Sequence, residues 1–282
     1  MSFKAPSAIV LPLTLAIGLA GCIQVRVPED AFFYPNARLE AEGIELQSGH
    51  SLPSDTEALR LPYAGGEVAV SRVRGNPNGP IILFCGGNMF RRAVSGGDRA
   101  AALAPFGDVV MFDYPGYGET PGDATLANFR QATAAVAAWV ARTAAAEGRE
   151  VVAWGHSLGG PVCTEATRLI DVDTLVIEAS TPTAHAVVND AVGLLRPFVR
   201  VNIDPGLDSF DVVQSLSGYG GRVLVLEAGR DETLPPRLSR QMTQDLIDDG
   251  VAAERLVFPQ ADHNNIRLQP DFQTRLSAAL AQ

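Results

Sequence analysis

The sequence predicts an α/β fold: a mainly parallel central sheet with helices on both faces and a small cap. Short apolar runs rich in Val and Ile alternate with helical stretches, and 282 residues suit one large domain plus a leader. Such runs are typical of strands buried on both faces. The predicted strands are 67–73, 81–84, 109–112, 151–154, 175–177, 223–226 and 256–258. The predicted helices are 126–147, 157–170, 236–249 and 270–280.

Proline and glycine mark the ends of two of these helices. Helix 126–147 is rich in Ala and stops at Gly148, a residue type that favours the left-handed conformation after a helix C-terminus. Helix 236–249 begins with Pro236 and ends before Gly250. In a sheet built from alternating strands and helices, functional residues are expected at the carboxyl ends of the strands.

Residues 1–21 are predicted to be a signal peptide. Lys4 is the only charged residue before Arg26, and the apolar stretch 7–21 is short for a membrane span, which needs about 20 residues. Leu19-Ala20-Gly21-Cys22 resembles a bacterial lipobox, in which Cys22 becomes the lipidated first residue of the mature protein. An uncleaved anchor helix is the alternative, and two prolines within the first 12 residues disfavour it.

Residues 22–59 are predicted to be a tether and lead-in, followed by the main domain over 60–282. Ile23 after the cysteine resembles lipoproteins sorted to the outer membrane of Gram-negative bacteria, so we expect a lipid-anchored envelope protein facing the periplasm. The lead-in is expected to pack on the domain through Phe32, Phe33 and Tyr34.

The pentapeptide Gly155-His156-Ser157-Leu158-Gly159 has the pattern G-x-S-x-G and follows the predicted strand 151–154. Between a strand and a helix, this pattern indicates a nucleophile elbow, a sharp turn that exposes the serine hydroxyl. A chance match in a glycine-rich loop is the alternative, because the chain has 27 glycines. The context favours Ser157 as a nucleophile.

A serine nucleophile needs a base, normally a histidine oriented by a carboxylate. One histidine precedes the pentapeptide, one adjoins Ser157 and cannot turn back onto its hydroxyl, and one lies just after the next strand; these are His50, His156 and His185. His263 follows the last predicted strand in a loop and satisfies the chain order serine, acid, histidine. A solvated surface histidine is the alternative, and we predict His263 to be the base.

The orienting acid should follow the preceding strand. Asp231 and Glu232 are both candidates there, and Glu227 is a weaker one. Asp231 is preferred because it comes immediately after the turn, where its side chain can reach the next loop. An acid that merely initiates the following helix is the alternative.

The developing oxyanion needs two hydrogen-bond donors. The N–H of Leu158, directly after the nucleophile, is predicted to be one of them. The other is assigned to Asn88 in the glycine-containing loop after strand 81–84, with Gly87 and Met89 as neighbouring alternatives. A plain Gly-Gly turn would explain the loop without any such role.

These motifs together resemble the α/β-hydrolase serine hydrolases, more narrowly the group of acyl-protein thioesterases and lysophospholipid lipases. The resemblance covers roughly residues 60–282 and rests on five stretches: 84–88, 113–120, the pentapeptide, 229–231 and 261–264. It implies an α/β-hydrolase fold. It departs from the family where Pro115 replaces the usual Arg, Thr120 the usual Ser and Gly86 the usual His.

In this family the region 181–217 hosts the cap. It is short here, so we expect a small cap and an open site. A crossover helix followed by a long loop is an equally weighted alternative.

The formal net charge of −10 disfavours nucleic acid as a partner. No cluster of Cys and His suggests a metal, and no cofactor is predicted. After Cys22, only Cys85 and Cys163 remain; an exported protein permits a disulfide, but two separate buried thiols are preferred.

The residues and the resemblance predict a serine hydrolase with the triad Ser157, Asp231 and His263. By the resemblance alone, its substrate would be the acyl ester or thioester of a small molecule or lipid, cleaved through an acyl-enzyme. A peptidase or amidase with the same triad is one alternative. A non-enzymatic envelope lipoprotein that uses the fold for binding is the other. A dehalogenase is disfavoured because it would need an acid in place of Ser157.

Overall fold

The computed structural model of the protein describes residues 14–16 and 23–281. The strands are β1 (Thr14–Ala16), β2 (Ile23–Val27), β3 (Glu57–Tyr63), β4 (Gly66–Val73), β5 (Ile81–Cys85), β6 (Asp108–Phe112), β7 (Val151–His156), β8 (Thr174–Glu178), β9 (Val199–Ile203), β10 (Arg222–Ala228) and β11 (Ala252–Phe258). The helices are α1 (Asn36–Glu42), α2 (Arg92–Leu103), α3 (Leu126–Glu147), α4 (Gly159–Ala166), α5 (Ala184–Val192), α6 (Pro205–Asp208), α7 (Val212–Ser215), α8 (Pro236–Asp248) and α9 (Phe272–Leu280).

Eight strands form the central sheet, in the order β11-β10-β8-β7-β5-β6-β4-β3. The pairs from β11 to β6 are parallel, whereas β4 pairs antiparallel with β6 and β3 antiparallel with β4. The predicted mainly parallel α/β sheet is therefore confirmed. Parallel strands place their carboxyl ends along one edge, and that edge carries the loops described below.

Both faces of the sheet are buried, as the apolar strands require. Successive residues of β5 alternate between two core clusters, with Leu83 in one and Phe84 in the other. Helices α3, α4 and α8 contribute to the first cluster, and α2 and α9 to the second. The sheet is thus covered by helices on both sides.

Helix α3 has the bounds that the sequence predicts. The Thr125 hydroxyl caps its first turn, and Gly148 ends it with a φ of 62°. Helix α4 is shorter than the predicted 157–170. It cannot include Ser157, whose φ is 53°. After Ala166 the N–H groups of residues 167–169 each bond the third preceding carbonyl, so the chain leaves the helix in tight turns.

The sequence patterns do not predict β3, α1 or α2. Strand β3 is a sheet edge whose residues are all exposed or half-buried, so its apolar signal is weak. Helix α2 contains Gly96 and Gly97, which disfavour helix. A Cβ at Gly97 would lie 2.1 Å from the His50 carbonyl oxygen, so close packing of the lead-in requires glycine here.

A second, three-stranded sheet joins the lead-in to the region between β8 and β10. Strand β9 pairs in parallel with β2, with Val199 opposite Ile23, and β1 pairs antiparallel with β2. This region also contains α5, a 3₁₀ turn (Gly193–Phe198), α6 and α7. It is therefore more than a single crossover helix.

Cys85 and Cys163 form a disulfide, so the preferred expectation of two separate thiols is wrong. Both residues are fully buried, as expected. However, α4 packs against β5 and brings their Cα atoms within 5.8 Å, a normal span for a disulfide. The bond joins the end of β5 to the helix after Ser157.

The predicted lipidation site, Cys22, lies outside the described residues, as does most of the predicted signal peptide. Strand β1 is the part of residues 1–21 that is described. Across residues 23–281, no helix combines the length and the apolar character needed to span a bilayer.

Candidate active site

The sequence-predicted site residues converge at the carboxyl edge of the central sheet. Ser157 directly follows β7, and Asn88 lies in the loop after β5. Asp231 follows β10, and His263 follows β11. The strand order places these loops side by side, although the residues lie far apart in the chain.

Ser157 occupies a strained turn between β7 and α4. Its φ of 53° is unusual for a residue with a side chain. Its N–H donates to the Glu178 carbonyl oxygen at 2.9 Å. A Cβ at Gly155 would lie 2.2 Å from the Gly159 carbonyl oxygen, and one at Gly159 would lie 1.9 Å from the Cys85 carbonyl oxygen. Close backbone contacts therefore explain both flanking glycines.

His263 bridges Ser157 and Asp231. Its Nε2 lies 3.0 Å from the Ser157 Oγ, and its Nδ1 lies 2.8 Å from Asp231 Oδ2. The Asp231 side chain is 2% exposed and that of His263 11%. A carboxylate accepts hydrogen bonds, so the imidazole proton is held on Nδ1 and the lone pair on Nε2 faces the serine hydroxyl.

The second oxygen of Asp231 is also satisfied. Oδ1 accepts hydrogen bonds from the N–H groups of Thr233 and Leu234, at 2.9 and 2.8 Å. These bonds fix the carboxylate plane and leave Oδ2 directed at the imidazole. The alternative acids lie elsewhere: Glu232 is exposed, and buried Glu227 pairs with Arg240 and Arg255.

His156 holds the loop that carries His263, a contact that chain order does not predict. Its Nε2 lies 2.9 Å from the His263 carbonyl oxygen. Because a carbonyl only accepts, this nitrogen carries a proton. Burial lowers the pKa of His156 to about 4, so the ring is neutral near pH 7. The proximity of the two histidines depends on how the β7 and β11 loops meet, which leaves no local pattern in the sequence.

Leu158 and Asn88, the residues predicted to supply the oxyanion donors, directly follow Ser157 and Gly87. Within the described ranges, the N–H groups of Leu158 and Asn88 donate to no protein acceptor. The same holds for Met89. Gly87 lies against the elbow, since a Cβ there would be 3.3 Å from Ser157 Cβ and 2.9 Å from His156 Nδ1. Only glycine lets this loop approach the serine so closely.

Over residues 14–16 and 23–281, no group of His, Cys, Asp and Glu side chains is arranged to hold a metal ion.

Comparison with known proteins identifies the family. The model of the alpha/beta hydrolase family matches residues 81–222, half of the chain. The chain belongs to the alpha/beta hydrolase family. The matched region includes the loop after β5, the elbow and the Cys85–Cys163 disulfide.

One curated relative of this family member is an uncharacterized protein of Mycobacterium tuberculosis. It is 27% identical over 195 residues, which cover 68% of this chain and 65% of the relative. The match spans less than two thirds of the relative's own length.

Solved structures share the α/β-hydrolase fold. The esterase Pf2001 of Pyrococcus furiosus superposes with a TM-score of 0.63 and 12% identity, over 84% of this chain and 98% of the esterase. XC6422 of Xanthomonas campestris, a serine hydrolase without a lid, has a TM-score of 0.56 and 18% identity, over 82% and 98% of the two chains. The predicted fold is confirmed, and the family and fold support a hydrolase activity.

Proposed function

We propose that the protein is a serine hydrolase that cleaves acyl esters or thioesters through the triad Ser157, His263 and Asp231. The observation that carries the proposal is the continuous chain of contacts from the Ser157 hydroxyl through His263 to Asp231. This arrangement supports proton transfer from serine to imidazole as the hydroxyl attacks an acyl carbonyl.

In the proposed reaction, the Ser157 oxygen bonds to the carbonyl carbon and His263 Nε2 takes the hydroxyl proton. The N–H groups of Leu158 and Asn88 stabilise the oxyanion. The imidazolium then protonates the departing alcohol or thiol, leaving an acyl-serine. Water, activated by His263, hydrolyses the acyl-serine and restores the free hydroxyl. Asp231 stabilises the charged imidazole and fixes its tautomer throughout.

We also propose that the protein is anchored to the cell envelope through a lipid on Cys22. The disulfide between Cys85 and Cys163 supports an exported, oxidising location, because such bonds are rare in the reducing cytosol. Ile23, the residue after Cys22, pairs with Val199 in the small sheet. The described chain after Cys22 therefore enters that sheet at the end where the 3₁₀ turn leads into β9.

That turn exposes two large apolar side chains, Leu195 at 62% and Phe198 at 61%. Exposed Arg200 and Arg26 lie on the adjacent strands. Exposed apolar side chains, together with basic residues on the same small sheet, favour contact with a lipid surface. We term this surface the apolar tip (Leu195 and Phe198). Its exposure favours the proposal that the substrate carries an acyl chain and is taken from a membrane.

The test is hydrolysis of a matched series of one acyl group presented as an ester, a thioester and an amide. We expect the wild type to turn over the ester and thioester faster than the amide. Ser157→Ala and His263→Ala should each lower kcat on the order of 10⁴-fold or more. Faster turnover of the amide would instead favour a peptidase or amidase. Full ester turnover by Ser157→Ala would refute the proposed nucleophile.

A further inference from the structure

The lead-in strap, defined as residues 32–36, lies against the loop that supplies the proposed second oxyanion donor. The Asn88 side chain makes the connection. Its Nδ2 donates to the Phe32 carbonyl oxygen at 2.6 Å, and its Oδ1 accepts from the Tyr34 N–H at 3.0 Å. Both ends of one side-chain amide are therefore bonded to the strap.

Tyr117 closes this network from the loop after β6. Its hydroxyl donates to Asn88 Oδ1 at 2.7 Å and accepts from the Tyr34 N–H at 2.8 Å. Tyr117 is fully buried, so water does not compete for these bonds. The three groups thus fix one another in a single arrangement.

Arg91 ties the same loop to the strap a second time. It is 2% exposed, and it donates to the Tyr34 carbonyl oxygen at 2.6 Å and to Asn36 Oδ1 at 2.9 Å. It also donates to the carbonyl oxygens of Asn88 and Phe90, and its guanidinium lies 4.1 Å from the centre of the Tyr117 ring. Charge-assisted bonds in a buried setting are stronger than neutral ones.

The strap is itself anchored in the core. Phe33 is 1% exposed, and its ring centre lies 4.7 Å from that of Phe129 on α3. The N–H of Asn36 donates to the Gly116 carbonyl oxygen at 2.8 Å. Because the strap is fixed in this way, its hydrogen bonds can hold Asn88 in one position.

The loop after β5 needs such support because Gly86 and Gly87 precede Asn88. Glycine permits close approach to Ser157, but it leaves the backbone with more conformational freedom than any other residue. An oxyanion donor acts only if it is held within hydrogen-bond distance of the developing charge. The side-chain hydrogen bonds of Asn88 and Arg91 restrict the backbone conformations that the two glycines would otherwise allow this loop to adopt.

We propose that the lead-in strap positions the Asn88 N–H as an oxyanion donor, with the Asn88 side chain and Tyr117 as positioning residues. The inference rests on the proposed function. The strap lies between the predicted anchor and the central sheet, and it would contribute to the active site. Displacing it would move the Asn88 N–H without disturbing Ser157, His263 or Asp231.

The test is the kcat and KM of the full chain for a soluble ester, with active-site titration and thermal unfolding of each variant. Asn88→Ala keeps the backbone N–H but removes the bonds to the strap. We expect kcat to fall about 10- to 100-fold, with KM changed less than about threefold. Asn88→Asp retains the shape but cannot donate to the Phe32 carbonyl, so it should lose kcat as well.

Tyr117→Phe provides a milder change with a matched control. Tyr219→Phe likewise removes one tyrosine hydroxyl. The hydroxyl of half-buried Tyr219 donates to the Val172 carbonyl oxygen at 2.7 Å, at the opposite end of the strands from the site. We expect Tyr117→Phe to lower kcat and Tyr219→Phe to leave it unchanged at a similar loss of Tm. If Asn88→Ala does not fold, this pair decides the question.

Two outcomes separate the inference from the proposed function. A wild type without esterase activity would refute the proposed function and, with it, the basis of the inference. An active wild type whose Asn88→Ala and Tyr117→Phe variants lose Tm but keep the wild-type kcat per titrated site would overturn the inference alone, because the strap would then be merely structural.

Discussion

At the level of single residues, His156 combines two constraints. It must keep a proton on Nε2 to bond the His263 carbonyl oxygen, and it must do so as a neutral ring because it is buried. A substitution here would release the loop that carries the proposed base. His156 is therefore expected to affect both stability and activity.

His156 makes stability depend on pH. Its pKa is about 4 when folded, below its usual 6.5, so between these values the unfolded state binds the extra proton. The contribution of neutral His156 to the free energy of unfolding is fully present above pH 6.5. It falls by about 3 kcal/mol as the pH decreases towards 4. Urea unfolding across this range should show the loss in the wild type.

His156→Asn is the matched variant, because its amide can still donate but does not titrate. Its unfolding free energy should be flatter over the same pH range. An identical pH dependence in the two proteins would contradict the assignment of this loss to His156.

The residues of the candidate triad could be selected from the sequence because their chain order and their positions after strands follow from the fold class. The Asn88 side chain could not be assigned a position in the same way. Its partners, Phe32, Tyr34 and Tyr117, come from two distant segments, and no local pattern marks their contact. The N–H donor after a nucleophile can be predicted from the elbow motif. The partners of a side-chain network cannot, because they depend on tertiary packing.

At the level of elements, the disulfide links β5 to α4 and so joins the two loops that supply the proposed oxyanion donors. Buried Cys is common as a free residue, which made separate thiols the preferred expectation. Pairing required the register of α4 over β5, which the sequence does not specify. Strand and helix periodicity predicted both elements but not the contact between their side chains.

Loss of the disulfide should destabilise the fold. The bond spans 78 residues, and closing a loop of that length stabilises by about 4 kcal/mol in the chain-entropy description. We expect a reductant to lower the urea midpoint of the wild type to that of a Cys85→Ala/Cys163→Ala variant. The variant itself should be insensitive to reductant. Free thiols at Cys85 and Cys163, mapped by peptide mass in the unreduced, denatured wild type, would contradict the bond.

Sequence periodicity worked well for elements that are buried on one or both faces, such as β5, β7 and α3. It failed for β3, whose side chains are largely exposed at the sheet edge. It also failed for α2, whose glycines allow close packing against other segments although they disfavour helix. Local propensity predicts an element only where burial or caps select its residues. At β3 and α2, packing against neighbours decides the structure instead.

At the level of the whole molecule, the small sheet connects the predicted anchor, the lead-in and the region that bears the apolar tip. Parallel pairing of β2 with β9 fixes where the chain enters the fold. The strap then continues from this sheet to the loop beside Ser157. The proposed anchor and the strap would therefore lie on one stretch of chain, and the apolar tip is joined to that stretch through the pairing of β2 with β9.

The apolar tip should matter for substrates in a membrane and not for soluble ones. Leu195→Asp/Phe198→Asp is expected to lower hydrolysis of an acyl ester embedded in vesicles about tenfold, because two apolar contacts with lipid are lost. Hydrolysis of a short soluble ester should be unchanged. Leu169→Asp, at an exposed apolar residue between α4 and β8, is the control. Equal effects on both substrates would contradict a membrane role.

Ser157 is expected to be an activated nucleophile, and its reaction with a fluorophosphonate probe is the decisive test. The probe phosphonylates a serine only when a base and an oxyanion site activate it. We expect the wild type to carry one label, mapped by peptide mass to Ser157, with labelling lost in Ser157→Ala and in His263→Ala. A folded wild type that remains unlabelled, or a label on another residue, would contradict the claim.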